Sequence, residues 1–88
     1  MNIMSFLEMN EYISKVSNDT LLIMCEEIYN WRYVKFELSL DSTLCRISRE
    51  IKYPCIGEIE EAVVDEAHRR FKNIALLLVK DKPTYYFK

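Results

Sequence analysis

The chain has 88 residues, half of them apolar, with one Gly, two Pro and a formal net charge of −2. That is the length of one domain, and high apolar content with so few breakers excludes a disordered or loop-dominated chain. No apolar run reaches the ~20 residues that span a bilayer, the first residues form no basic leader, and Cys25, Cys45 and Cys55 fit reduced thiols in a cytoplasmic protein.

Ser5 and Glu8 have the spacing of a capping box, and Phe6, Met9, Ile13 and Val16 follow at helical intervals. A first helix is expected over 5–16. Ser17-Asn18-Asp19 ends it and offers capping side chains to the next. A second helix over 20–33 carries Leu21, Met24, Cys25, Ile28 and Trp31 on one stripe, widened by Leu22, Tyr29 and Tyr33. Such a broad apolar surface implies contacts on two sides and a central place in the core.

From Tyr33 to Leu40 the period changes. Val34, Phe36, Leu38 and Leu40 alternate with Lys35, Glu37 and Ser39, as in a strand with one buried face. A third helix is expected over 42–52, started by Asp41-Ser42-Thr43 and stopped before Pro54. A fourth, over 57–71, has Ile59, Val63, Ala67 and Phe71 on its stripe. Its carboxylates Glu58, Glu60 and Glu61 lie in the first turn, and Arg69 and Arg70 in the last, as the helix dipole favours. Asp65–Arg69 and Glu66–Arg70 are spaced as i,i+4 pairs. Asn73 can close this helix in a left-handed conformation. Residues 74–80 and 84–88, separated by Asp81-Lys82-Pro83, then read as a C-terminal β-hairpin.

Helix, short strand, helix, tight turn, helix and hairpin is an order with a precedent. The segment 20–88 resembles the winged-helix superfamily, a helix-turn-helix followed by a two-stranded wing. The resemblance is carried by Leu44-Cys-Arg-Ile-Ser-Arg-Glu-Ile51, Tyr53-Pro-Cys-Ile-Gly57, Ile59-Glu-Glu-Ala-Val-Val64 and the hairpin. Ser48 stands where such motifs have a small residue at the helix crossing. Ile47, Ile51, Ile59, Ala62 and Val63 stand at core positions, and Lys52-Tyr53 occupies the turn where a glycine is common. The fold expected is α+β: four helices, a small antiparallel sheet and a C-terminal β-hairpin in one domain, 1–88, with 5–16 added before a winged-helix-like core. A helical domain ending in a hairpin is the alternative.

The resemblance implies DNA binding through the second motif helix. The candidate phosphate contacts are Arg46, Arg49, Lys52, Arg69, Arg70, Lys80 and Lys82. Against this, the candidate recognition helix opens with Glu58, Glu60 and Glu61, which would meet the negative potential of phosphate. Residues 1–45 carry seven acidic groups and three basic ones, and residues 46–88 carry nine basic and seven acidic. Those cations also serve as a solvated face.

No catalytic pattern emerges. His68, the only histidine, has no nucleophile at a suggestive spacing and reads as a boundary residue. The cysteines lack metal spacing, and with one glycine there is no phosphate loop. No cofactor and no small-molecule substrate is indicated. An apolar strand over 74–79 would need cover on both faces. The expected interface therefore comprises Phe6, Met9, Ile13, Ile74, Leu76, Leu78, Tyr85 and Phe87, meeting a protein partner or a second copy. The sequence reading is a non-enzymatic regulatory or adaptor module, with a DNA-binding regulator as the alternative.

Overall fold

The computed structural model describes residues 4–73 and Leu78. Four α-helices follow one another in this span: α1 (Phe6–Ser14), α2 (Asn18–Tyr29), α3 (Thr43–Ile51) and α4 (Ile56–Arg70). A π-helical turn, Asn30–Val34, prolongs α2.

Each of the first three helices starts on a serine. The Ser5 hydroxyl accepts from the Glu8 backbone N–H at 3.1 Å, and the Glu8 carboxylate accepts from the Ser5 N–H at 3.1 Å, so the capping box forms. That backbone bond holds the Glu8 carboxyl below its usual range. Ser17 caps α2 through the Thr20 N–H, and Ser42 caps α3 through the Cys45 N–H. The start of α3 has a second acceptor. The carboxylate of Glu27, on α2, takes the Thr43 and Leu44 N–H groups at 2.8 and 3.1 Å. A carboxylate there meets both the orphan donors and the positive end of the helix dipole.

Most of each expected stripe reaches the core, although Phe6 is exposed and Trp31 only half-buried. Met9 and Ile13 of α1, Leu21, Met24 and Ile28 of α2, Leu44 and Ile47 of α3 and Ile59, Val63 and Ala67 of α4 are buried together. The central helix is α4 rather than α2, because α4 packs against α1, α2 and α3. Ser48 is buried where α3 leaves for α4: its hydroxyl donates to the Tyr53 carbonyl at 2.5 Å, and the Tyr53 N–H donates to the Ser48 carbonyl at 3.0 Å. Lys52 takes the left-handed conformation (φ 57°, ψ 44°) that ends α3, the place where a glycine is common.

The α+β, winged-helix-like expectation is corrected. The described residues form helices and no strand. Over 33–40 the chain first completes the π turn, then bends at Phe36 into the left-handed region (φ 58°). Val34, Phe36 and Leu40 are exposed, and only Leu38 packs against the core. The alternation had the period of a strand, but among the described residues no second strand lies beside it to take its hydrogen bonds. The wider turn instead carries Arg32 inward to a buried carboxylate. The hairpin expected over 74–88 lies outside the described residues, apart from buried Leu78. Nor does Asn73 end α4 in a left-handed turn: Phe71 closes that helix in extended geometry, and the positive φ angles among the described residues are those of Phe36 and Lys52.

Candidate functional site

Charged groups that read as a solvated face turn out to be partly structural. The Arg32 Nε donates to the Glu60 carboxylate at 2.6 Å, with both side chains buried. This ion pair locks the π turn to α4 across 28 positions of sequence. Glu66 is buried too. Burial pushes its carboxyl up, but hydrogen bonds from Arg69 and Arg70, with their positive charge, outweigh burial and hold it below the usual carboxylate range. Arg70 also donates to the carbonyls of Val16 and Ser14, at 2.7 and 2.8 Å, and to the Asn18 side chain at 3.0 Å. It thus fastens the end of α4 to the corner between α1 and α2. At the other end of α4 the Tyr53 hydroxyl donates to the Glu58 carboxylate at 2.5 Å. That bond pushes the Tyr53 phenol up to about 12 and draws the Glu58 carboxyl down.

These contacts decide how the proposed phosphate contacts stand. Arg70 is held among protein acceptors, Arg69 donates to Glu66, and Arg49 donates to the Leu40 carbonyl at 3.2 Å. Arg46 and Lys52 are exposed on α3 and at its end. Lys80 and Lys82 lie outside the described residues. Of the five described cations, three are thus engaged by the protein's own acceptors and two are exposed. A recognition helix must also offer a face to the groove. The helix with that sequence position, α4, is covered by α1, α2 and α3 and exposes only Glu61 and Arg69. The helix that the resemblance would place in the groove is therefore covered, and the wing expected over 74–88 lies outside the described residues.

The expected interface is also redistributed. Met9, Ile13 and Leu78 are fully buried within the chain and serve its core. Phe6 is exposed, beside exposed Leu7. Ile74, Leu76, Tyr85 and Phe87 lie outside the described residues. His68 is half-buried, its Nε2 hydrogen-bonded to the Leu78 carbonyl. It is a boundary residue bonded to the backbone. Cys25 is buried, and burial pushes its thiol up to about 11; Cys45 is half-buried and Cys55 exposed. No group of three His, Cys, Asp or Glu among the described residues is placed to hold a metal.

The feature that stands out lies on the outer side of α2 and the π turn. Leu22 (45% exposed), Ile23 (51%), Tyr29, Tyr33, Val34 and Phe36 (60%) face solvent while the opposite side of α2 fills the core. Their spacing is helical, with Leu22, Tyr29 and Tyr33 separated by seven and four positions. The rings of Tyr29 and Tyr33 stack at an angle, with centroids 5.2 Å apart. Phe36 holds its exposed ring in left-handed backbone, which costs a residue with a Cβ roughly 1–2 kcal/mol. The wide stripe of α2 implies packing on two sides, whereas only one side packs and Leu22, Tyr29 and Tyr33 stay exposed. The contributions of Val34 and Phe36 were hidden by their strand-like alternation.

Beside this surface a cleft of about 220 Å³ opens between the end of α2 and the loop to α3, lined by Glu27, Asn30, Lys35, Glu37, Asp41 and Ser42. Its Glu27 carboxylate is already committed to the start of α3. Among the described residues no helix is long and apolar enough to cross a membrane.

No family model, no curated protein and no solved structure matches this chain.

Proposed function

We propose that this chain is a non-enzymatic protein-binding module of the cytoplasm, acting through the outer face of α2 and the π turn. One observation carries the reading: five large apolar side chains of α2 and the π turn, Leu22, Ile23, Tyr29, Tyr33 and Val34, are exposed to water, with Phe36 exposed just beyond the turn. Scattered apolar residues are normal on a protein surface, but a contiguous patch is the usual mark of an interaction site. Tyrosine and phenylalanine are also the side chains that anchor interfaces. The strained backbone at Phe36 supports the same reading, since strain that exposes an apolar ring brings no gain to the isolated chain. The free thiols of Cys25, Cys45 and Cys55 fit a reducing compartment.

The test is capture of partners from the native host by wild-type protein and by the double variant Leu22→Ser/Tyr33→Ser. Both positions are exposed, so helicity and melting should change little, by about 0.5 kcal/mol each at most. Proteins retained by the wild type and lost by the variant are the expected result. Identical retained sets, with both proteins folded, would refute the assignment of the face.

A further inference from the structure

The α2 part of this face carries charge of one sign, and that narrows what can sit on it. On α2 the exposed charged side chains are Asp19 and Glu26. Both fall on the apolar stripe: Asp19, Ile23, Glu26 and Asn30 follow at helical spacing, with Leu22 and Tyr29 alongside. The nearest arginine in sequence, Arg32, is turned inward to Glu60. Past the π turn, Lys35 lines the neighbouring cleft together with Glu37 and Asp41.

A helix laid along this stripe would meet apolar anchors at i, i+7 and i+11, the reading frame of helix-on-helix recognition. From Leu22 to Tyr33 the ridge spans about 17 Å at the α-helical rise. It would meet Glu26 in the middle of that length. A carboxylate at the centre of an interface is costly unless a cation pairs with it. An antiparallel second copy has no cation on its own α2 to supply. Centred on Glu26, it sets Glu26 against Glu26; shifted to pair Ile23 with Glu26, it buries the carboxylate against an aliphatic chain. Nucleic acid and anionic lipid are repelled by the same two groups.

We propose, building on the docking role above, that this face takes an amphipathic helix of a different protein. Its apolar stripe lies on Leu22, Ile23, Tyr29 and Tyr33, and its flanking lysines or arginines pair with Asp19 and Glu26. The occupant is thus a basic amphipathic helical segment.

Two synthetic helical peptides with the same leucine stripe test this, one flanked by lysines and one by glutamates, titrated into isotopically labelled full-length chain by NMR. The lysine peptide is expected to shift amides of residues 19–34, with affinity falling about tenfold in Glu26→Lys and less in the milder Glu26→Gln. Glu26→Lys should in turn gain affinity for the glutamate peptide. Asp19 is left alone because its carboxylate also favours the first turn of α2. Equal binding of both peptides to this face of the wild type would overturn the charge inference and leave the docking role standing. Failure of both peptides to shift these residues would overturn the two together. Concentration-dependent self-association through the same residues, seen by sedimentation, would replace the basic helix with a second copy and overturn the inference.

Discussion

Lys52 stands where the backbone asks for glycine. Its left-handed φ of 57° ends α3, and the Tyr53 N–H reaches back to the Ser48 carbonyl. A side chain there carries a steric cost that glycine avoids. Lys52→Gly should therefore raise stability by about 1 kcal/mol in urea denaturation, without changing the slope of the transition. Much at this scale could be read in advance. The Ser5–Glu8 box, the small Ser48 and the unusual residue in the turn are local patterns, fixed by neighbours three to five positions away. The roles of Arg32, Glu60 and Glu66 could not be read in this way. A charged residue announces solvent exposure by its chemistry, and its burial depends on a partner brought up by the fold, 28 positions distant for Arg32.

Among the elements, the end of α4 and the α1–α2 corner are joined by charge. Glu66 orients Arg69 and Arg70, and Arg70 supplies donors to the Ser14 and Val16 carbonyls. Because the folded chain holds the Glu66 carboxyl below its usual value near 4.5, its contribution is present above that pH. It is lost as pH falls through the lower folded value, when the carboxylate must take a proton. Arg70→Ala should lower stability at neutral pH, and by progressively less as pH falls through the lowered folded value and Glu66 takes its proton. Parallel urea titrations at pH 7 and pH 3 check this, and an equal loss at both would show that Arg70 acts through its carbonyl bonds alone. The helices themselves were legible from period and caps to within a few residues. The segment 33–40 was not. Alternation records side-chain polarity only, and whether it becomes a strand depends on a neighbour to pair with. Here the polar and apolar positions serve a π turn, a left-handed bend and an exposed aromatic surface instead.

Across the whole molecule, α4 is the element on which α1, α2 and α3 all pack, and Arg32–Glu60 is the polar bond deepest within that arrangement. Removing one partner leaves a buried charge. Glu60→Gln should cost about 3–5 kcal/mol in equilibrium unfolding, whereas Arg32→Met/Glu60→Leu together should cost far less or nothing. Equal losses in the single and double variants would show that the pair is held by its packing and not by its charge. The core of the fold was legible, since its apolar positions recur at helical intervals. Its class was misjudged where the described residues test it: the strand was inferred from alternation at 33–40, where a π turn and a left-handed bend form instead.

One of these bonds bears on how the chain is made. The Ser14 and Val16 carbonyls accept from a guanidinium 56 and 54 positions later. During synthesis at ~5–20 residues per second, that first corner emerges roughly 3–11 s before the arginine that closes it. A nascent chain therefore presents α1 and its following turn to the cellular milieu unfinished. Until that arginine arrives, water is left to hydrate those two oxygens.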